Sequence, residues 1–600
     1  MAGGPSLLSL CIEAVKAQIV SDDLLPDIYE LPIDLFDILV LKLPPLALHR
    51  LQTEMPYMKW NDYENNDDCP GPGRKRGRHG NFDKAWKGLF KLRWPKLVDS
   101  VQSADWQQMY WQTHLQSCFD EAAELALLPS FDGCLGELNI SAGILRCIGC
   151  KEDLHSSILS KLSYHCQHFG HHARCLRLQN VLCVAETCQL LGNSKLQSLV
   201  LRWIRSKEHV DGLCKLLIQN SASLTSLELL HCKLSPTFIN DICGSVCIKN
   251  METHKIQHFS ITSSSFSEID FVSFPSGLVS FLASARYLSL RFRDNHLDCK
   301  FAQMLFTTIC DTSSKISALD LSDNNIAGSL SNFNCTSTSR LPSSSRMGYL
   351  QTLRMLNVRG NNLRKDDAEN LRYALVWMSN LEILDLSDNP IGDEGIGCLI
   401  PYFLEATEKC CSLVELNLES CELSCSGVTE LLDALSTSKR QLKSISLADN
   451  GLGRQAAGAL GKLLGMSIRS LNIGGIGLGS AGFQELEKGM KSEMELVEID
   501  ISKNRGGYET AKFLSKLISL APNLIAVNAA YNLMPVESLN LICTTLKVTK
   551  GKLERLNLTG NTWGHHPSAD SLLTEFQRNG RPILVLPSTF APDFPYDDDP

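Results

Sequence analysis

Aliphatic residues recur in a fixed pattern along most of the chain after residue 170. Each copy is counted from its first aliphatic residue. Aliphatic residues then stand at positions one, four, six and eleven, and asparagine or cysteine stands at position nine. One clear copy runs from Leu353 through Asn361 to Leu363, and the next copy begins 28 residues after the first, at Leu381. Because such a period marks a repeat architecture, the chain is predicted to be an array of similar units rather than one globular core.

The pattern occurs in about fourteen copies, and ten of them match it strongly. The strong copies begin at Leu224, Ile316, Leu353, Leu381, Leu413, Leu442, Ile468, Leu496, Leu524 and Leu553. Four looser copies begin near Ala173, Leu196, Ile256 and Ala285. The spacing from Ile316 to Leu353 is 37 residues, so this copy contains an insertion.

Each copy is predicted to combine a strand with a helix. The alternation of Leu384 and Leu386 has the two-residue period of a strand with one buried face. The asparagine that follows is predicted to occupy a tight bend, where its amide can hydrogen-bond to the backbone of adjacent turns. Helical spacing appears in the second half of the unit, at Leu371, Ala374, Leu375 and Met378. One such unit cannot bury its own apolar face, so neighbouring units must stack.

This unit, with its full helix, resembles the ribonuclease-inhibitor class of leucine-rich repeats. Segments 391–395 and 478–482 match the turn that leads into the helix in that class. The resemblance covers roughly residues 170–570. It implies an α/β fold: a leucine-rich-repeat solenoid, a ribonuclease-inhibitor-like horseshoe, preceded by a small α-helical N-terminal domain. We assign residues 171–575 to the solenoid and 576–600 to a C-terminal tail.

The same resemblance implies a binding surface for a protein partner. In this class, residues that flank the strand leucines line the concave face, which is extended and preformed. Aspartate or asparagine is common at the central position, where a solvated consensus residue is the simpler interpretation. The candidate partner-binding residues are Asp320, Asn357, Arg359, Asp385, Glu415, Asn417, Asn472, Glu498, Asp500, Asn528, Arg555 and Asn557.

The first twenty residues contain a second pattern. Ser6 can cap the start of a helix. Leu7, Cys11 and Val15 follow at intervals of four, which places them on one stripe of that helix. The small thiol in the middle of the stripe suits close approach to a partner.

This stripe resembles the BC-box, the helix through which substrate receptors bind elongin C. The resemblance implies that Ser6, Leu7, Cys11 and Val15 bind the adaptor. Amphipathic helices match this short pattern by chance, so the alternative is a capped helix that packs on its own domain.

The next segment contains Leu31, Pro32 and Leu35, and further leucines follow. It resembles the cullin-contacting or F-box-like helices that follow a BC-box in elongin A-like proteins, which implies that these three residues also contact the adaptor. We assign residues 1–60 to the BC-box and these helices. The alternative is that residues 1–125 form a helical cap on the solenoid, and one segment could serve both purposes.

A tryptophan-rich helical segment is predicted over residues 83–130, followed by a junction or cap over 131–170. The order of tryptophan and leucine in it is similar to that of elongin A-like proteins. The whole chain resembles BC-box proteins that carry a leucine-rich-repeat array, including the PRAME-like group.

Two segments are predicted to be loops. Residues 61–82 combine acidic, Pro/Gly and basic stretches and are assigned to a flexible linker, in which the basic run is either a nuclear-import signal or a solvated loop. The serine-rich insertion at 327–350 is either a neutral surface loop or a site of phosphorylation or partner contact.

Composition restricts the function classes. The net charge of −9 argues against a general nucleic-acid or anionic-membrane binder. The start of the chain lacks the basic region of a signal peptide, and no stretch reaches the roughly 18 uninterrupted apolar residues of a membrane-spanning helix. The 23 cysteines are therefore expected to be reduced thiols in the cytoplasm or nucleus.

No catalytic motif was found: the chain has no P-loop, nucleophile elbow, metalloprotease motif or kinase signature set. One group could hold zinc: Cys147 and Cys150, followed by His165 and His168. Junction residues without a metal are the simpler interpretation. We therefore predict a non-enzymatic protein without cofactor or metal.

The leading hypothesis is the substrate-recognition subunit of an elongin–cullin ubiquitin ligase. Its partners would be elongin C with elongin B and a cullin, or an equivalent SKP1-like adaptor, and a target protein held by the repeats. The alternatives are a repeat scaffold or inhibitor without a ligase role, and a GTPase-activating protein.

Overall fold

The computed structural model describes the following residues of the chain: 6–20, 26–55, 79–100, 103–150, 158–247, 253–266, 274–286, 288–312, 315–333, 347–405, 412–437, 442–490, 493–549, 551–562 and 583–585. The basic run at 74–78 and residues 334–346 of the serine-rich insertion lie outside them. So does most of the predicted tail.

The α-helices are numbered in chain order. They are α1 (Leu7–Val20), α2 (Ile33–Val40), α3 (Pro45–Thr53), α4 (His79–Arg93), α5 (Trp106–Ala126), α6 (Ala142–Ile148), α7 (Leu162–Phe169), α8 (Ala185–Leu190), α9 (Lys207–Asn220), α10 (Pro236–Val246), α11 (Ser276–Ala283), α12 (Cys299–Asp311), α13 (Lys365–Leu375), α14 (Gly392–Glu405), α15 (Cys425–Thr437), α16 (Ala457–Leu464), α17 (Gly479–Gly489), α18 (Tyr508–Leu520) and α19 (Glu537–Val548).

The strands are numbered in the same way. They are β1 (Cys175–Gln179), β2 (Ser198–Arg202), β3 (Ser226–Leu230), β4 (Lys233–Leu234), β5 (His258–Thr262), β6 (Ser265–Phe266), β7 (Leu288–Arg293), β8 (Ile316–Asp320), β9 (Met355–Asn357), β10 (Ile383–Asp385), β11 (Glu415–Asn417), β12 (Ser444–Ser446), β13 (Ser470–Asn472), β14 (Glu498–Asp500), β15 (Ala526–Asn528), β16 (Arg555–Asn557) and β17 (Ile583–Val585).

The chain divides into two compact units. The first comprises residues 1–233 and 241–251, and the second comprises residues 234–240 and 252–600. In the first unit, β1, β2 and β3 pair in parallel in chain order. In the second, β5 and then β7 through β17 form a parallel sheet, also in chain order.

This strand–helix alternation is the predicted leucine-rich-repeat solenoid, and the fold prediction is confirmed. The strand leucines are buried: Leu356, Leu384 and Leu556 are fully shielded from solvent. The four looser copies of the pattern form β1, β2, β5 and β7. β17 adds one strand inside the segment assigned to the tail, because Ile583–Val585 pairs in register with β16.

The repeated asparagine joins successive turns, as the buried Asn389 illustrates. Its Oδ1 accepts the backbone N–H groups of Asn361 and Leu363 at 2.8 and 3.0 Å. Its Nδ2 donates at 2.8–3.0 Å to the carbonyl oxygens of Val358, Leu386 and Ser387. One side chain therefore satisfies polar backbone groups of two repeats that water cannot reach.

Helix α5 covers the open edge of β1 within the first unit. The Gln116 amide accepts the N–H of Arg177 at 2.8 Å and donates to its carbonyl at 2.9 Å. Gln112 Oε1 accepts the N–H of Cys175 at 3.0 Å. An uncovered edge strand would expose these backbone groups to pairing with another chain, so α5 is a cap for the strands that follow.

Aromatic side chains form the core of the first unit. Trp111 is fully buried and stacks on Phe169, with ring centroids 3.8 Å apart and planes inclined by 4°. Trp86 contacts the same indole at 5.7 Å and donates its N–H to Gln52 at 2.8 Å. The segment predicted to be rich in tryptophan thus supplies the core that holds α3, α4, α5 and α7 together. Within the described residues, no helix is long and apolar enough to cross a membrane.

Candidate interaction surfaces

Helix α1 presents the predicted adaptor-binding stripe to solvent. The Ser6 hydroxyl accepts the N–H of Ser9 at 3.2 Å, so it caps the helix start as predicted. Leu7 is 78% exposed, Cys11 is also exposed, and Val15 is half-buried. Leu10 adds to this surface with 53% exposure. We call Leu7, Leu10, Cys11 and Val15 the α1 face.

The opposite side of α1 is anchored in its own unit. Ile12 and Ile19 are buried, and the Glu13 carboxylate pairs with Lys42 at 3.3 Å, beyond the end of α2. Hydrogen bonds from Lys16 and Lys42 lower the pKa of Glu13. The helix already packs through its other side, so the leucines of the α1 face stay exposed unless a partner covers them. Covering them would remove apolar surface from water, which favours contact with a partner over packing within the unit alone.

The second predicted adaptor segment lies at the start of α2. Pro32 is exposed and directly precedes the helix, while Leu31 and Leu35 are half-buried. Phe36 points inward and meets the ring of Phe82 at 5.9 Å. Leu31 and Leu35 therefore pack partly within their own unit, whereas Pro32 is open to solvent.

The four residues considered as a zinc site are not brought together. Cys147 is exposed, and His168 Nδ1 lies 2.9 Å from the carbonyl oxygen of Tyr164. The metal-ligand side chains that do cluster, among the described residues, are His114, Cys118 and His165, whose candidate ligand atoms lie within 4.8 Å of one another.

That cluster is a hydrogen-bond relay. Arg93 Nη1 lies 3.2 Å from His114 Nδ1, and His114 Nε2 lies 3.1 Å from His165 Nδ1. Because a guanidinium only donates, His114 accepts at Nδ1 and donates from Nε2. If a metal bound His114 Nε2, the neutral ring would carry its proton on Nδ1. That N–H would then face the N–H of Arg93, and neither group could accept. The geometry therefore favours a neutral histidine pair here over a metal site.

Burial keeps the histidines around this core neutral. It lowers the pKa of His165 to about 4 and that of His114 well below its ordinary value. Burial also lowers the pKa of His49 to about 4 and that of His172 to about 3, with smaller contributions from neighbouring histidines. Charging any of them would place a cation in an apolar, aromatic environment.

We expect the first unit to lose stability in mild acid. An unfolded histidine takes up a proton below about pH 6.5, whereas these folded histidines resist protonation down to about pH 4. The stabilisation is therefore complete above pH 6.5 and is lost as the pH falls towards 4. The midpoint of urea unfolding, followed by tryptophan fluorescence between pH 8 and pH 4, measures this loss. A His49→Gln/His172→Gln variant should show a shallower decline, and a flat wild-type profile would contradict the assignment.

The second surface consists of the outward-pointing side chains of β8 to β16, which we call the strand face. In every strand of this face except β12, which ends at Ser446, the last residue is an Asp or Asn that accepts the backbone N–H two residues later. The distance is 3.0 Å at Asp385 and 2.8 Å at Asp500. The same bond occurs at 3.0–3.3 Å at Asp320, Asn357, Asn417, Asn472, Asn528 and Asn557. This local bond explains why these residue types recur and commits one oxygen of each to the turn.

The variable positions of the strand face carry the side chains that can distinguish partners. Glu498, Ala526 and Arg555 lie side by side in the register of β14, β15 and β16. Because Ala526 is small, Arg555 reaches across it to the Glu498 carboxylate at 3.1 Å. A shallow pocket of about 380 Å³ lies here, lined also by Ser470, Asn472, Asp500, Asn528 and Asn557.

A second charged group lies around β9 to β12. Arg359 pairs with Asp388 at 2.6 Å, and Glu415 is exposed at the start of β11. Burial and the nearby Asp449 raise the pKa of Glu419. The charged side chains of the strand face itself are mostly acidic: Asp320, Asp385, Glu415, Glu498 and Asp500, with Arg555 as the cation in β16.

Sequence reasoning missed three parts of these surfaces. Gln112 and Gln116 lie on a helix without an informative period, so their capping role depends on β1 being beside them. Ala526 becomes important only through the register of its neighbours. An exposed Leu10 could have been inferred from its position next to the predicted stripe.

Comparisons with known proteins agree with the repeat architecture. Residues 378–399 match the family described as Leucine Rich repeat. The ribonuclease inhibitor of Sus scrofa is 28% identical over 249 residues, which is 40% of this chain and 52% of the inhibitor. The Tonsoku-like protein of Bos taurus is 29% identical over 221 residues, covering 35% of this chain and 16% of that protein.

Among solved structures, a chain of the yeast complex of Rad7 and Elc1 is similar to this chain. It is 14% identical, with a TM-score of 0.35, and the match covers 78% of this chain and 97% of the other. The chain spans about half the length of the pig inhibitor and a smaller share of the Tonsoku-like protein. The chain is built of leucine-rich repeats and is related in sequence to ribonuclease inhibitor.

Proposed function

We propose that this chain is the substrate-recognition subunit of an elongin–cullin ubiquitin ligase. The observation that carries the proposal is the α1 face: Leu7 and Cys11 are exposed on a capped helix whose other side is anchored. These are the residues that the BC-box resemblance assigns to elongin C. Elongin B would accompany elongin C, and a cullin, or an equivalent SKP1-like adaptor, would complete the assembly.

The strand face is the surface proposed to hold the target protein. Its charged side chains are mostly acidic, and the Asp and Asn residues that end the strands are held by bonds to their own turns, so these residues lose little side-chain entropy on binding. The pocket beside Glu498 and Arg555 can receive one side chain of the target. The chain itself performs no bond chemistry in this proposal, because holding the target near the transferring enzyme raises its effective concentration.

The cytoplasm or the nucleus is the compartment that the proposal requires. Buried cysteines such as Cys118, Cys166, Cys183 and Cys421 are free thiols, which suits a reducing compartment. Burial raises the pKa of the thiols of Cys166 and Cys421 to about 12, so these two behave as apolar core residues.

The test is ligase activity in complexes purified with the full chain. The wild type should carry elongin C and form ubiquitin chains when the activating and conjugating enzymes are added. A Leu7→Asp/Cys11→Asp variant should lose both, because two carboxylates would have to be buried in the partner groove. Leu92→Asp/Leu127→Asp is the matched control, since these leucines are equally exposed elsewhere in the same unit. Unchanged elongin C in the first variant would refute the proposal.

A second candidate function is an inhibitor without a ligase role, favoured by the similarity to ribonuclease inhibitor. It predicts target binding that is independent of elongin C. Removing residues 1–125 does not separate the two functions cleanly, because α5 covers the edge of β1. The α1-face substitutions separate them without disturbing this cap.

A further inference from the structure

One edge of the repeat sheet carries an apolar and basic patch with no role in the proposed function. The third residue after each strand from β8 to β16 has a positive φ, a conformation that favours Gly, Asn and Asp. At most of these positions the residue agrees with that preference: Asp323, Gly360, Asp388, Asp449, Gly475 and Gly560.

Three repeats depart from the preference. The β11 repeat has Ser420 at the third position and Glu422 at the fifth, both with positive φ. In the β14 and β15 repeats, Lys503 and Tyr531 occupy the third position and Arg505 and Leu533 occupy the fifth, all with φ between 53° and 57°. Tyr531 is 49% exposed and Leu533 is 40% exposed. We call Lys503, Arg505, Tyr531 and Leu533 the edge patch.

The bend itself imposes the positive φ, because bulky residues adopt it in other repeats as well, as at Trp203 and His231. What distinguishes Tyr531 and Leu533 is that their large apolar side chains remain partly open to water. The Tyr531 ring lies over Gly560, where an added Cβ would be 2.3 Å from it. Neighbouring apolar side chains that remain exposed are typical of a binding contact.

The charge of the edge changes sign at this patch. Asp323, Asp388 and Asp449 line the edge in earlier repeats, whereas Lys503 and Arg505 follow at β14. Within the described part of the chain, neither cation has an acidic partner. An occupant that fits must therefore carry negative charge beside apolar or aromatic groups.

Residues 586–600 of this chain have that composition. They contain Phe590, Phe594 and Tyr596, together with Asp593 and three aspartates at 597–599, and no lysine or arginine.

Residues 586–600 also begin within reach of the edge patch. They follow Val585 of β17, which pairs with β16. Strands in a sheet lie about 4.8 Å apart, so β14 is roughly 14 Å from β17. Fifteen extended residues span up to about 50 Å, so the segment reaches the edge patch with length to spare.

We propose that residues 586–600 dock on the edge patch. Their aspartates lie against Lys503 and Arg505, and their aromatic side chains cover Tyr531 and Leu533. The contact is intramolecular, so it forms without a partner protein. Because it includes contacts between opposite charges, salt weakens it.

Hydroxyl-radical footprinting of the purified full chain tests this docking. Tyr531 should be oxidised at least threefold more slowly in the wild type than in an Asp597→Lys/Asp598→Lys/Asp599→Lys variant. Lys503→Glu/Arg505→Glu should also expose Tyr531, and combining it with the tail reversal should restore protection. Lys300→Glu/Lys488→Glu, at exposed helix positions, controls for the change in net charge.

A further variant separates binding from folding. Tyr531→Asn/Leu533→Asn should leave the thermal midpoint equal or higher, because asparagine tolerates positive φ, yet it should release the tail and speed proteolysis of residues 586–600. Equal oxidation of Tyr531 in the wild type and both charge variants would overturn the proposal and leave the edge patch to an external partner. Protection that survives the tail reversal would also overturn it.

Discussion

Asn389→Ala should lower the free energy of unfolding of the repeat array by about 4 kcal/mol. The substitution leaves the buried N–H groups of Asn361 and Leu363 without their acceptor. It also removes the donor of three carbonyl oxygens. Each buried group left unpaired costs about 1–3 kcal/mol, and the carbonyls retain part of their bonding elsewhere.

Asn380→Ala is the matched control, because Asn380 is exposed and donates one hydrogen bond, to the carbonyl of Gln351 at 2.7 Å. It should cost less than about 1 kcal/mol. Asn389→Cys should be intermediate, since the native Cys421 at the equivalent position still contacts the Leu386 carbonyl at 3.3 Å. Urea unfolding followed by circular dichroism measures the series. Equal losses for Asn389→Ala and Asn380→Ala would refute the role assigned to the buried asparagines.

Trp111→Ala should destabilise the first unit by roughly 3–5 kcal/mol, as expected for removal of a fully buried indole. The cavity would lie between Phe169, Trp86 and His49, whose rings all contact Trp111. Because this core holds α5, the covering of β1 would weaken with it. Scanning calorimetry of the full chain measures the loss.

Trp111→Phe should cost much less than Trp111→Ala. The indole N–H is buried and has no hydrogen-bond partner among the described residues, so phenylalanine removes an unsatisfied donor while it keeps the stacking on Phe169. If both substitutions lowered the transition equally, the aromatic stacking would not be the source of stability.

The repeats could be predicted from the sequence because each strand and bend is encoded locally. The spacing from Leu384 to Asn389 specifies a buried strand and a bonded bend without reference to any other part of the chain. The cap could not be predicted in this way, because Gln116 is informative only when Arg177 lies opposite it.

The candidate surfaces also contain features that are encoded locally and features that depend on distant residues. The spacing alone predicts the α1 stripe, the BC-box resemblance implies that it is an adaptor-binding surface, and the structure leaves Leu7 and Cys11 exposed there. On the strand face, the central Asp and Asn residues proved to be bound to their own turns, as at Asp385. The side chains that distinguish this surface, such as Arg555 over Ala526, depend on register between repeats about 28 residues apart. The binding of elongin C remains a prediction.

Calorimetric titration of the purified full chain with the purified elongin C–elongin B complex tests the central claim most directly. We expect one adaptor complex per chain, with a dissociation constant below about 1 μM, or roughly −8 kcal/mol. Leu7→Asp/Cys11→Asp should weaken binding at least a hundredfold, and Leu92→Asp/Leu127→Asp should leave it unchanged. The absence of binding by the wild type, or equal binding by the α1-face variant, would contradict the account.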